Sequence, residues 1–273
     1  MLRPYKSRKG EGMESLTYSK YLHLDELLSL QHEGEAGYEH DQMLFIVIHQ
    51  VYELWFKEML YEADYLAGSL FAADTPRALH TLRRMLTILK TMVGQVDILE
   101  TMTPLDFLTF RDKLDSSSGF QSFQFREVEF LLGYKRRGVF NNYEQGGEYW
   151  NRLEKRYRQP TLWDAFLHYL GRQGYVIPES ELARDVTLPL TPSPEIQRVL
   201  IDLYRTDSAN VRVCERLIDL DEGFQEWRYR HVKMVERTIG GKPGTGGSAG
   251  VGYLSATLFK PFFPDLWAIR TEL

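Results

Sequence analysis

Apolar residues recur along this chain at three- and four-residue spacing, and no stretch alternates apolar and polar residues for long enough to make a strand. From Ser19, the positions of Tyr21, Leu22, Leu24, Leu27 and Leu28 predict a short amphipathic helix, which the run HEGEAGYEH (His32–His40) breaks. From about His40 to Phe71 there is no proline and the apolar residues keep helical spacing. Glu53, Lys57, Glu58, Glu62 and Asp64 make this a long buried amphipathic helix and not a membrane span. Asp74, Thr75 and Pro76 supply an N-cap followed by proline in the first turn, so a second long helix is expected to run to about Thr101. Thr103 and Pro104 restart the chain in the same way, with a helix through Leu114. Shorter helices are expected at about 121–136, 145–157, 161–173 and 193–206. The segment Tyr175–Pro194 holds Pro178, Pro189, Pro192 and Pro194 and reads as an extended surface loop. A third long helix is expected over about 208–239, ended by GGKPGTGGSAGVG (Gly240–Gly252), with a short helix or tail after it. The predicted fold class is all-α: residues 16–273 as one domain, a bundle of a few long helices with shorter ones packed around it, and residues 1–15 as a loose arm.

Composition narrows the setting. With 43% hydrophobic and 13% aromatic residues among 273, the chain has the means to bury a sizeable core. A formal charge of −5 argues against a nucleic-acid partner, which selects for a basic excess. Cys214 is the one cysteine, so no intrachain disulfide forms and a disulfide-stapled secreted scaffold is excluded. The opening residues MLRPYKSRKGEGMESL lack the apolar stretch of a signal peptide, and no segment reaches the ~18 apolar residues of a membrane span. A cytoplasmic setting with no membrane partner is expected.

Three polar residues interrupt apolar stripes. Phe45, His49, Tyr52 and Phe56 fall on one helical face, which turns His49 inward among aromatics. Phe224, Trp227, His231, Met234, Val235 and Thr238 share a face of the third long helix, with Arg230, Lys233 and Arg237 on another. An imidazole in such an apolar slot suits an axial haem ligand; either histidine also reads as a satisfied core residue. His49 and Glu53 have the spacing of a metal pair, but no third ligand accompanies them at recognisable spacing. Arg111 lies on a stripe with Phe107 and Leu114. Its charge is permanent, so a buried head needs an anion: a structural carboxylate, or the carboxylate of a substrate gripped in two places. GTGGSA (Gly244–Ala249) matches a dinucleotide fingerprint in form, yet it follows a helix where that fingerprint must follow a strand. It reads as a loop, or as a lid closing over a ligand. Together these features describe a pocket for a cofactor and a small aromatic carboxylate.

Five segments carry a resemblance. HDQMLFIVIHQVYELWFKEMLYE (His40–Glu62), LETMTPLDFLTFRDKL (Leu99–Leu114), SGFQSFQFREVEFLLG (Ser118–Gly133), WRYRHVKMVERTIGGKPGTGGSAGVGYL (Trp227–Leu254) and FFPDLWAIRT (Phe262–Thr271) resemble the tryptophan 2,3-dioxygenase family, collinearly from about Leu16 to the C-terminus. The resemblance implies a helical homotetramer with one haem b per subunit, acting on L-tryptophan and O2 to give N-formylkynurenine. It implies His231 as the iron ligand and His49 as the partner of the indole N–H. Phe45 and Phe107 would line the indole site, Arg111 would take the carboxylate, and Thr245 would take the ammonium or carboxylate. Ser118 falls at the position near bound oxygen. Tyr18, Tyr21 and Leu22 match a segment that completes a neighbouring subunit's pocket. Two places depart from the family pattern: Val96, followed by Asp97, stands where an aromatic residue is usual, and the lid is entered through Gly241-Lys242-Pro243-Gly244. These departures keep a same-family haem monooxygenase for a modified tryptophan as the alternative; a haem sensor without turnover and a cofactor-free scaffold are others.

Overall fold

The computed structural model describes residues 16–244 and 251–273, and every regular element among them is helical. The arm expected at 1–15 lies outside the described residues. The single N-terminal helix of the sequence reading is two, α1 (Tyr18–Leu22) and α2 (Leu24–Leu28). His23 between them takes a left-handed backbone (φ 52°, ψ 45°), and its N–H closes on the carbonyl of Ser19.

The long elements follow the pattern closely. Helix α3 (His40–Phe71) opens with a capping box between Glu39 and Gln42. Helix α4 (Thr75–Leu99) starts where the Asp74 side chain accepts from the N–H of Arg77. Helix α5 (Pro104–Phe110) is boxed by Thr103 and Asp106, and the chain then tightens into a 3-10 turn over Arg111–Leu114 in place of the expected continuous helix. Helix α6 (Phe123–Leu131) stops five residues short of its expected end near 136. Gly133 at φ +103° turns the chain there, and a β-carbon on it would meet Leu190 Cδ1 at 2.5 Å. Next come α7 (Glu148–Tyr157) and α8 (Leu162–Arg172). The proline-rich segment holds one short turn of helix, α9 (Glu179–Leu182). Then follow α10 (Pro194–Thr206) and α11 (Ser208–Ile239), with α12 (Val251–Ser255) and α13 (Pro264–Ala268) after the glycine-rich stretch.

Helix α4 is sandwiched between α3 and α11, with α6 and α8 laid across α3. Met59, Leu66 and Leu70 of α3 pack with Leu82, Met85 and Met92 of α4 and with Leu217, Leu220 and Phe224 of α11. Each such burial is worth about 1.5–3 kcal/mol, which is what holds these long helices together. Gly223 lets α11 approach α4, since a β-carbon there would stand 2.7 Å from Leu89. A smaller cluster of Ile48, Val96, Leu99, Met102, Phe107, Phe110 and Met234 closes one end of the bundle. The C-terminal segment is pinned by Asp221, fully buried on α11. Its Oδ2 accepts from the N–H groups of Phe262 and Phe263 and from Trp267 Nε1 at 2.8, 2.9 and 3.0 Å. Among the described residues no helix is long and apolar enough to cross a membrane.

Candidate functional site

A cavity opens to solvent where α3, α4, α5, α6 and α11 meet. Phe45, His49, Phe107, Arg111, Ser118 and His231 all line it. The two histidines arrive from different helices because each replaces an apolar residue on the inward stripe of its own. The structure thus brings together the residues that the sequence turned inward, from segments up to 186 positions apart.

His49 shows its open surface to this cavity, and protein crowds the rest of its ring. Its Nδ1 donates to the carbonyl of Phe45 at 2.6 Å, and the two rings lie 4.1 Å apart. Burial holds its pKa below the ordinary 6.5, with the Phe45 carbonyl and the Glu53 charge acting the other way. Phe45 meets Phe107 at 5.9 Å and Phe110 at 5.4 Å, so the cavity beside His49 has aromatic walls. Tyr52, one turn below, donates to the carbonyl of Met92 at 2.7 Å and ties α3 to α4.

The His231 ring stacks on Trp227 with centroids 5.5 Å apart and planes within 10°. Trp227 in turn packs on Phe125 at 5.0 Å. Burial pushes His231 down to about 4, and the neighbouring His49 and Arg126 add to the shift. The ring is therefore neutral at physiological pH and carries a bare nitrogen. No side chain or carbonyl of the described residues hydrogen-bonds it.

These features test the fit of a haem. The group needs one neutral imidazole over a flat apolar slot, and His231 with Trp227, Phe125, Val232, Val235 and Leu254 supplies it. A metal ion bound by several side chains fits less well: no group of three or more His, Cys, Asp or Glu residues converges among the described residues, so His49 and Glu53 stay without a third ligand. Glu53 is instead engaged by Gln124, whose amide donates to its carboxylate at 2.8 Å.

Arg111 is half-buried at the mouth. Its Nη2 donates to the carbonyl of Pro243 at 2.7 Å, and no carboxylate of the described residues pairs with it. The fork is thus available to an anion entering from the cavity, held in place by the Pro243 carbonyl. Gly244 also lines the cavity, whereas Thr245 lies outside the described residues. Ser118 caps the 3-10 turn Gly119–Gln121, its hydroxyl accepting from the N–H of Phe120 at 3.4 Å. Val96 is 3% exposed against the cavity, and Asp97 beside it pairs with Arg230 of α11 at 2.5 Å. Tyr18, Tyr21 and Leu22 do not line this cavity; they are 75%, 69% and 41% exposed on α1.

The sequence reading missed one group. Arg126, Glu129 and Arg228 line the cavity near Trp227, buried and paired with one another. Their signal was the i, i+3 spacing of Arg126 and Glu129 inside a run of phenylalanines, where an exposed pair would have had polar neighbours.

Comparison with known proteins agrees with this geometry. The family model described as tryptophan 2,3-dioxygenase matches residues 6–186 and 189–273. A protein named tryptophan 2,3-dioxygenase from Herpetosiphon aurantiacus is 61% identical over 260 residues, covering 95% of this chain and 99% of its own length. Proteins of the same name from Anaeromyxobacter sp. (strain K) and Caulobacter vibrioides are 54% and 43% identical, each over 95% of this chain and over 97% and 99% of their own lengths.

Proposed function

Since the chain belongs to the tryptophan 2,3-dioxygenase family, we propose that it binds haem b through His231 and uses O2 to open the indole C2–C3 bond of L-tryptophan, giving N-formylkynurenine. The strongest support is the His231 ring itself: neutral, half-buried, without a hydrogen-bond partner among the described residues, and lining the same cavity as His49 and Arg111.

Haem, when bound, supplies the oxygen chemistry. The protein's part is to select, orient and enclose. Arg111 takes the carboxylate of the amino acid in its fork, exchanging or sharing the Pro243 carbonyl, and Thr245 contributes a hydroxyl to the zwitterion. Nδ1 of His49 is committed as a donor to Phe45, so the neutral ring offers Nε2 as an acceptor. That acceptor receives the indole N–H and fixes the ring's rotation without acting as a strong base. Phe45 and Phe107 hold the indole plane, and Ser118 borders the reacting end. Two anchors at opposite ends of a rigid substrate set the C2–C3 edge in one place, which is how proximity lowers a barrier. The apolar lining of Val96, Leu99, Met102 and Leu254 keeps bulk water away.

Tyr18, Tyr21 and Leu22 form an apolar surface on a short helix that serves none of the chain's own site. That arrangement suits a homotetramer in which α1 completes a neighbouring pocket, in a cytoplasmic enzyme.

The decisive experiment is to load the purified protein with haem, record its Soret band and assay N-formylkynurenine from L-tryptophan in air. We expect both, and expect His231→Ala to lose most of the haem while its far-UV circular dichroism stays helical. Full haem occupancy with an unchanged spectrum in that variant would remove His231 from the role.

A further inference from the structure

A histidine that ligates a metal is normally held in one rotation by the hydrogen bond its second ring nitrogen donates to a carboxylate or carbonyl. His231 makes no such bond among the described residues. The torsion that turns a histidine ring about its stem is broad, so the side chain does not fix its own plane. What His231 has instead is a second ring against its face. Trp227, one turn earlier on α11, stacks on the imidazole with centroids 5.5 Å apart and planes within 10°.

Trp227 is in turn enclosed by a collar of rings from two other helices. Tyr52 and Phe56 of α3 meet it edge-on, with centroids at 6.1 and 5.9 Å and planes at 61° and 89°. Phe125 of α6 lies at 5.0 Å, tilted by 51°. The collar is continuous, since Phe56 also meets Phe125 at 5.2 Å and Tyr52 at 6.2 Å. The bond from the Tyr52 hydroxyl to the Met92 carbonyl, at 2.7 Å, fastens it to α4 as well. Edge-to-face contacts are directional, the positive edge of one ring lying against the negative face of another, so they resist rotation of the indole as well as its displacement. An indole that does not turn presents one fixed face to His231, and an imidazole rotated out of that plane loses the stack.

We propose that Tyr52, Phe56 and Phe125 are positioning residues for the iron ligand. They lock Trp227, and stacking on Trp227, in place of a hydrogen bond, sets the plane of the His231 ring and with it the direction in which that ring meets the haem. This rests on His231 being the haem ligand. None of the three collar residues needs to touch substrate to act in this way.

The test is resonance Raman spectroscopy of the haem-loaded ferrous protein, read at the iron–histidine stretching band, which broadens when the ring takes several orientations. Trp227→Leu keeps an apolar side chain but removes the flat surface, and should broaden and shift the band. Trp227→Phe keeps a ring and should stay close to the unmutated protein. Phe56→Leu opens the collar while leaving the stack, and should give a smaller change in the same direction. The double variant separates the device from general loosening of the pocket: if Phe56 acts through Trp227, its effect disappears once residue 227 is already leucine. An effect of Phe56→Leu that persists undiminished in that background, or an unchanged band in Trp227→Leu, would overturn the proposal. Should Trp227→Leu fail to retain haem, Phe56→Leu is compared with Leu99→Ala, a buried cavity-lining position outside the collar. Broadening in the first and not the second supports the collar; no broadening, or the same in both, refutes it. Failure of the haem reading would look different, as unmutated protein with no Soret band, and would take this inference with it.

Discussion

The carbonyl of Phe45 and Nδ1 of His49 are one helical turn apart on α3 and hydrogen-bonded at 2.6 Å. A carbonyl cannot donate, so Nδ1 carries the proton and the opposite nitrogen is an acceptor as long as the ring is neutral. Removing that acceptor by His49→Ala should lower kcat/KM for L-tryptophan about tenfold, the value of one hydrogen bond of roughly 1–1.5 kcal/mol. With 1-methyltryptophan, which has no indole N–H, the same change should cost little. Equal losses on both substrates would show that His49 acts in another way. The pH dependence has a definite sign. Burial holds the His49 pKa below 6.5, so the acceptor persists as pH falls through 6.5 and is lost only at lower pH. The acid limb of kcat/KM attributable to His49 should therefore lie below 6.5.

Arg111 reaches its position because α5 gives way to a 3-10 turn at that residue, aiming the guanidinium across to Pro243. Arg111→Lys should behave as a severe change, since one ammonium cannot reproduce a two-pronged contact. A loss of about 2–5 kcal/mol, roughly two or more orders of magnitude in kcat/KM, is expected for L-tryptophan. Tryptamine lacks the carboxylate and should be turned over, however slowly, at the same rate by both proteins. An effect under about fivefold on L-tryptophan would return Arg111 to a structural role.

Helix α1 is the place where stability and activity should separate. Tyr18 and Tyr21 bury little in their own chain, so deleting residues 1–23 should lower activity more completely than it lowers the thermal midpoint. Activity should fall to background if α1 serves a neighbouring subunit. A truncated monomer that still turns over tryptophan would contradict that role.

The three long helices were legible because their signals are redundant. In α4, the Asp74 cap and Pro76 mark the start, and ten buried positions then repeat along one face. His49, Arg111 and His231 stood out for the same reason, each being polar where the stripe demands an apolar residue. What escaped the sequence depends on contacts between distant segments. Helix α6 ends at Leu131 because Gly133 packs under Leu190, a neighbour 57 positions away that periodicity cannot reveal. His23 splits the N-terminal helix through a left-handed backbone that non-glycine residues seldom adopt. Arg228 sits one residue from Trp227 and looks like a surface charge until α6 brings Glu129 against it. Val96 departs from the family pattern, and it is buried in the cavity lining beside the Asp97–Arg230 pair.

The fate of the two oxygen atoms tests the account most directly. Haem-loaded ferrous protein should be given L-tryptophan under isotopically labelled O2 in ordinary water, and the first product examined by mass spectrometry. On the proposal that His49 and Arg111 fix the substrate at both ends, the predicted product is N-formylkynurenine carrying two labelled oxygen atoms. A product with a single labelled atom, or turnover only of a methylated tryptophan, would contradict the dioxygenase function.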